Sequence, residues 1–278
     1  MLKQRVITAL VLVTVFGLGL FATTPGQFAL FLALIFALGA WELGAMSGLS
    51  QPLHKALYVL LVLALIYCLR FVPISLVLAA GLLWWLACTV LVKMYPSGVG
   101  LWNRPGLRML AGVLILVPAW AALMQARVSS IEGMPSVSGA WLIFYIFVIV
   151  WIADIGAYFS GKRFGKRKLA PRVSPGKSIE GLIGGLLAVL VLPVGVALYS
   201  GAGPSAFIWL TLVTLFAAAL SVVGDLTESL LKRVAGVKDS GKLLPGHGGI
   251  MDRIDSVTAA APVFMCVMLL SGWLAAQT

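Results

Sequence analysis

Acidic and basic side chains crowd three short stretches of an otherwise apolar chain, and their spacing suits chemistry on phosphates with a divalent cation. In "GDLTESLLKRVAGVKDSG", Asp225, Glu228, Ser229 and Lys232 fall at i, i+3, i+4 and i+7, so a helix presents all four on one face. Carboxylates on such a face can hold magnesium, while Lys232 and Arg233, one turn on, grip phosphate oxygens. The competing reading is an ordinary Glu228–Lys232 surface pair; the position of these acids at the edge of an apolar helix favours the site. In "PGHGGIMDRIDS", Asp252 and Asp255 stand at i and i+3 where the last apolar segment begins, and a helix N-terminus there suits carboxylates or bound anions. Before them, Gly248 and Gly249 follow His247 and supply bare backbone N–H groups that can form a nest for phosphate, and His247 suits a phosphate or proton contact. In "SPGKSIEG", Ser174 or Ser178 can cap a helix starting near Glu180, whose free N–H groups beside Lys177 make a phosphate seat.

Other chemistries fit less well. "SPGKS" is not a Walker A loop, which needs a longer glycine spacing after a strand, and no strand pattern is expected there. The two histidines, His54 and His247, lack partners at ligand or triad spacing, which disfavours zinc and covalent hydrolase chemistry. Cys68, Cys88 and Cys266 all fall within apolar runs and read as small core residues without a disulfide framework. The residues therefore point to metal-dependent phosphoryl or nucleotidyl transfer.

The elements that must position them are membrane helices. Hydrophobic residues make up 61% of the 278 residues and charged ones only 10%, far from the usage of soluble domains. Apolar stretches of about 17 to 25 residues suffice to cross a bilayer as helices. Nine spans are expected, at about 6–22, 28–45, 56–69, 72–92, 107–125, 139–160, 179–199, 205–226 and 256–275, the third of them short. The fold class is thus an all-α polytopic integral membrane protein. Five N-terminal spans occupy 1–130, and a catalytic membrane region occupies 139–278, with loops at 161–178 and 232–255. The basic, apolar N-terminus has no small-residue cleavage pattern and reads as an uncleaved first span.

With the N-terminus in the cytoplasm, alternation of sides places every Lys and Arg except Arg70 and Arg127 in cytoplasmic loops, as the positive-inside rule requires. The net charge of +11 is explained by those loops, by anionic head groups and by phosphorylated substrates, without nucleic acid. Glu42, Asp154 and Asp225 lie deep in inward-running spans, roughly 20–30 Å from the outer end at 1.5 Å per residue, and so approach the face that carries the basic loops. Glu132 falls in an outer loop. A transporter that couples ions to intramembrane acids would place them near the bilayer midplane within inverted repeats; gathering at one face beside lysines argues against it.

From Ser229 to Asp255, "SLLKRVAGVKDSGKLLPGHGGIMDRID" resembles the signature of the phosphatidate cytidylyltransferases, or CDP-diacylglycerol synthases. The likeness extends upstream through "SPGKSIEG", with Ser178 where the family usually has Thr, and through "DIGAYFSGKRFGK" from Asp154 to Lys166. The resemblance implies transfer of the cytidylyl group of CTP to phosphatidic acid, giving CDP-diacylglycerol and pyrophosphate in phospholipid biosynthesis. It implies Mg2+, allows an accessory monovalent cation and a homodimer, and places the enzyme in a bacterial inner membrane with its active site facing the cytoplasm. On that reading Asp225 and Asp252, then Glu228 and Asp255, are the expected metal ligands. Lys177, Lys232, Arg233, Lys238 and Arg253 bind phosphates, Asp239 orients Lys238, and Ser174, Ser178, His247, Gly248 and Gly249 complete the substrate seat. The pattern is not that of a polyprenol kinase or of a CDP-alcohol phosphatidyltransferase.

Overall fold

The computed structural model describes residues 2–97, 99–130 and 138–274. Long helices dominate: α1 Leu2–Phe21, α2 Pro25–Met46, α3 Pro52–Cys68 with a 3-10 turn over Leu69–Phe71, and α4 Ile74–Met94. After the four-residue α5, Val99–Trp102, come α6 Pro105–Val128 and α7 Gly139–Phe164. A β-hairpin follows, β1 Lys168–Ala170 and β2 Ser174–Ser178, and then α8 Ile179–Ala188, α9 Val191–Ser200, α10 Pro204–Val234 and α11 Met251–Leu270. Among the described residues eight helical segments are long and apolar enough to cross a membrane, and Val6–Phe21 of α1 is a shorter apolar helix. The chain is a polytopic, all-α membrane protein in architecture. Glu132 and the last residue of the ninth expected span lie outside the described residues.

Helix starts follow local rules. Thr24 and Gln27 form a capping box at α2, with Pro25 in the first turn where its missing N–H costs nothing. Pro52, Pro105 and Pro204 open α3, α6 and α10 in the same way. The seventh expected span is two helices rather than one. Pro193 cannot donate to the carbonyl four residues earlier and its ring crowds that position, so the helix breaks at Val189 and Leu190.

The centre of the bundle is α11, which packs against α10, α6, α4, α7 and α2. Its Ala259, Ala260 and Ala261 are fully buried, and such small side chains let helices approach closely where lipid offers no hydrophobic drive for association. Gly81 of α4 lies against Pro118 of α6 and Pro262 of α11, a junction with no room for a Cβ. Similar close contact joins α7 to α8, where Gly184 meets Ser160 and Gly185 lies on the Ala153 carbonyl. Cys88 and Cys266 are buried as expected, whereas Cys68, at the end of α3, is exposed.

Two expectations about the loops need correction. The stretch "SPGKS" is a strand, β2, paired antiparallel with β1, with Lys168 opposite Ser178 and Ala170 opposite Ser174. The last helix begins at Met251, not near 256, so Asp252 and Asp255 lie inside its first turns.

Candidate active site

The site is built where α10 and α11 touch. Gly224 faces the Asp255 carbonyl, the Ser256 backbone and Ala259, so only a residue without a Cβ allows the helices to come this close. That approach aligns Asp225, Glu228 and Lys232 of α10 with Asp252 and Asp255 of α11. Lys232 joins the two helices: its Nζ lies 2.5 Å from Glu228 Oε2 and 2.6 Å from Asp252 Oδ1. The pair is enclosed, unlike the plain surface contact of the competing reading, with the Lys232 and Glu228 side chains only 13% and 2% exposed. The other oxygen, Glu228 Oε1, is buried and has no hydrogen-bond partner.

The second half of the site comes from the hairpin. Lys177 on β2 reaches α10, with its Nζ 2.6 Å from Asp225 Oδ2, while Ser229 donates to Asp225 Oδ1 at 3.3 Å. Asp154 of α7 is within electrostatic reach of Lys177, Asp225 and Arg253, and Asp255 is within reach of Asp225, Lys177 and Lys232. Five carboxylates and two lysines therefore share one region.

Local contacts hold the hairpin in place. Ser178 caps α8 by accepting from the Gly181 N–H at 3.1 Å. Glu180 accepts the backbone N–H groups of Lys166 and Arg167 at 3.0 and 3.1 Å, and its Oε1 pairs with Arg167 Nε at 3.0 Å. Arg233 donates from Nε to the Val173 carbonyl at 3.2 Å, tying the turn of the hairpin to the end of α10. Arg233 thus has a structural partner where a phosphate contact was expected.

The loop from 235 to 250 is locked by two carboxylates. Asp252 Oδ2 accepts from the Gly249 N–H at 2.8 Å and the Ser240 N–H at 2.9 Å. A carboxylate in the first turn of α11 thus holds the backbone just before the helix. Glu42 of α2, buried among apolar residues, accepts from the Ile250 and Met251 N–H groups at 3.0 and 2.9 Å. The Ser240 hydroxyl has both Glu42 Oε2 and Asp252 Oδ2 within reach, at 2.8 and 3.0 Å. Glycines 241 and 249 lie so close to Glu42 that a Cβ at either would collide with its carboxylate.

These bonds alter the expected phosphate nest. Gly246 and Gly248 do adopt positive φ, and Leu244 pairs with Gly248 in a tight turn. The Gly249 N–H, however, is already committed to Asp252, and the next two to Glu42. His247 Nδ1 is buried without a partner. Lys238, Asp239 and Arg253 are exposed, and among the described residues none of them forms an ion pair, so Asp239 does not orient Lys238 in this state. Ser174 lies at the start of β2 without a side-chain hydrogen bond among the described residues.

Sequence reasoning missed Ser240 and the purpose of Glu42. An acid on an apolar helix was a visible signal for Glu42, but its partners Ser240, Ile250 and Met251 lie 198 to 209 residues away. Ser240 carries no signal of its own.

Chemically, the region offers carboxylates for a cation and lysines for anions, set at one end of a membrane bundle. Among the described residues no group of three or more His, Cys, Asp or Glu converges as a ready cage for a metal. The unpartnered Glu228 oxygen and the crowded Asp225, Asp252 and Asp255 instead suit a divalent cation bound through one or two carboxylates with substrate phosphates completing its shell.

A sequence model of the cytidylyltransferase family matches residues 3–271. The phosphatidate cytidylyltransferase of Pseudomonas aeruginosa is 48% identical over 275 residues, covering 98% of this chain and 99% of that protein. The phosphatidate cytidylyltransferase of Haemophilus influenzae is 41% identical, covering 95% and 97%. That of Bacillus subtilis is 48% identical over 132 residues, about half of each chain. A match over nearly the whole length, with the carboxylates, lysines and glycine turn assembled around α10 and α11, settles the kinship: the chain belongs to the cytidylyltransferase family.

Proposed function

We propose that the α10–α11 cluster transfers the cytidylyl group of CTP to phosphatidate, giving CDP-diacylglycerol and pyrophosphate. A phosphate oxygen of the lipid attacks the α-phosphorus of CTP. The bond from that phosphorus to the oxygen bridging the β-phosphate breaks, and pyrophosphate leaves. The observation that carries this assignment is Lys232 clamped between Glu228 and Asp252, with Lys177 on Asp225: each lysine sits where it can exchange a carboxylate for a phosphate oxygen.

Asp225 and Asp252, supported by Glu228 and Asp255, would hold Mg2+, whose charge neutralises the departing pyrophosphate. Lys177 and Lys232 orient the reacting phosphates and offset the negative charge that both substrates bring together, so catalysis is mainly positioning and electrostatics. Lys238 and Arg253, exposed beside the cluster, are free to close on CTP. The end that carries the site faces the cytoplasm of the bacterial inner membrane; the concentration of Lys and Arg in loops on that side supports this orientation. There a soluble nucleotide meets a lipid that stays in the bilayer.

Purified protein supplied with labelled CTP, phosphatidate and Mg2+ should form a labelled CDP-lipid, and Asp252→Asn should insert normally but turn over at least about a thousandfold more slowly. Full turnover in that variant, or no product from the parent with any divalent metal, would overturn the assignment.

A further inference from the structure

Beside the carboxylate cluster, but sharing none of its carboxylates, lies a cavity of about 570 Å³. It opens between the last turns of α4, the turn of the hairpin, the start of α8 and the middle of α10. The walls are apolar, with Val92, Leu182, Val223 and Leu226 among them, and the two cations that line it are Lys93 and Arg172. Both cations are exposed, and among the described residues neither forms an ion pair.

The surroundings restrict the occupant. Lys93 is in the last turn of α4, Arg172 is in the turn of the hairpin, and Leu226 follows Asp225 directly, so the cavity sits at the end of the bundle that holds the reacting groups. A nucleotide has no alkyl part with which to fill an apolar chamber, and a neutral lipid would leave two cations without a counter-charge. An anionic amphiphile satisfies both features at once. The volume is within the usual range of about 300–1,000 Å³ for small-ligand pockets.

We propose that this cavity captures the lipid substrate, with an acyl chain of phosphatidate in the chamber and its phosphate met first by Lys93 and Arg172, from where it passes to Lys177 and Lys232 for reaction. The assignment rests on phosphatidate being the acceptor in the reaction above. It links lipid capture to the active site through one short element. Arg172 lies in the turn of the hairpin, Val173 beside it is held by Arg233, and the returning strand carries Lys177 to Asp225.

The test is steady-state kinetics on the full chain in mixed micelles. Lys93→Ala with Arg172→Ala should raise the KM for phosphatidate about tenfold, and leave kcat and the KM for CTP within about twofold, the loss expected for charge-assisted phosphate contacts. Lys93→Arg with Arg172→Lys should restore the parental KM. Ala219→Phe, which narrows the chamber wall, should weaken long-chain phosphatidate while sparing a dihexanoyl analogue. An unchanged KM for phosphatidate overturns the proposal, as does a KM for CTP that climbs in step. A changed response to phosphatidylglycerol with an unchanged response to phosphatidate also overturns it, because the seat would then belong to a different anionic lipid. Loss of kcat alone counts against the seat and points to damage at the carboxylates, which the Asp252→Asn comparison identifies separately.

Discussion

Glu42 shows what one side chain contributes from the far end of the chain. Its two oxygens take the first N–H groups of α11 and the Ser240 hydroxyl, so the loop that carries Asp252 is pinned by a residue of the second helix. Hydrogen bonds to a charged acceptor contribute about 1.5–3 kcal/mol each, so Glu42→Gln, which turns one acceptor into a donor facing N–H groups, should lower kcat roughly 10- to 100-fold. Membrane insertion should be unchanged, as measured by yield and protease resistance. Gly241 supplies a sharper test, because the three nearest atoms its absent Cβ would meet all belong to Glu42. Gly241→Ala should be costly in the parent and nearly neutral beside Glu42→Ala, a coupling that a double-mutant cycle in activity reads directly. Lys232 is the other such residue. Removing it strands two buried carboxylates, so Lys232→Ala should destabilise by about 3–5 kcal/mol, visible as a lower Tm in detergent. Lys232→Met with Glu228→Gln should regain much of that stability and none of the activity, which separates folding from chemistry.

At the scale of elements, the site depends on how closely α10 and α11 pack. Gly224→Val would drive a side chain into the Asp255 carbonyl and Ala259, part the helices and abolish turnover. Gly195→Ala in α9 has open space and should leave turnover unchanged, and it should stabilise the helix by about 0.5–1 kcal/mol through lower unfolded-chain entropy. Activity and Tm measured on the pair decide whether close approach, rather than glycine content, matters. The helices were legible from sequence because a bilayer demands long apolar runs, and the i, i+3, i+4, i+7 face of α10 was legible because helix geometry fixes it. The hairpin was not, because β1 and β2 span only three and five residues and the second contains Pro175 and Gly176, residues that ordinarily mark turns. Pro193 did carry a signal for the break between α8 and α9, but an unbroken apolar run masked it. The early start of α11 was hidden because Asp252 and Asp255 lower the local hydropathy; their neighbours in space are Lys232, Ser240 and Lys177 rather than lipid.

Most of the molecule's charge gathers at one end, and Glu42, Asp154, Asp225 and Asp252 approach that end from four different helices. Such an arrangement works only if the end faces the compartment that holds CTP. The basic loops argue that it does, since an excess of Lys and Arg marks the cytoplasmic side of short loops. Placement of cysteines in an otherwise cysteine-free chain tests this without reference to catalysis. Arg163, exposed at the end of α7 beside the hairpin, and Ala202, in the turn between α9 and α10, should lie on opposite sides of the bilayer. An impermeant maleimide should therefore label Arg163→Cys only in inverted vesicles and Ala202→Cys only in intact spheroplasts. Reversed labelling would place the carboxylates and lysines on the outer face, away from the nucleotide. Labelling of both from one side would mean that α8 and α9 fold back together as a re-entrant pair, for which the break at Val189 and Leu190 provides the hinge.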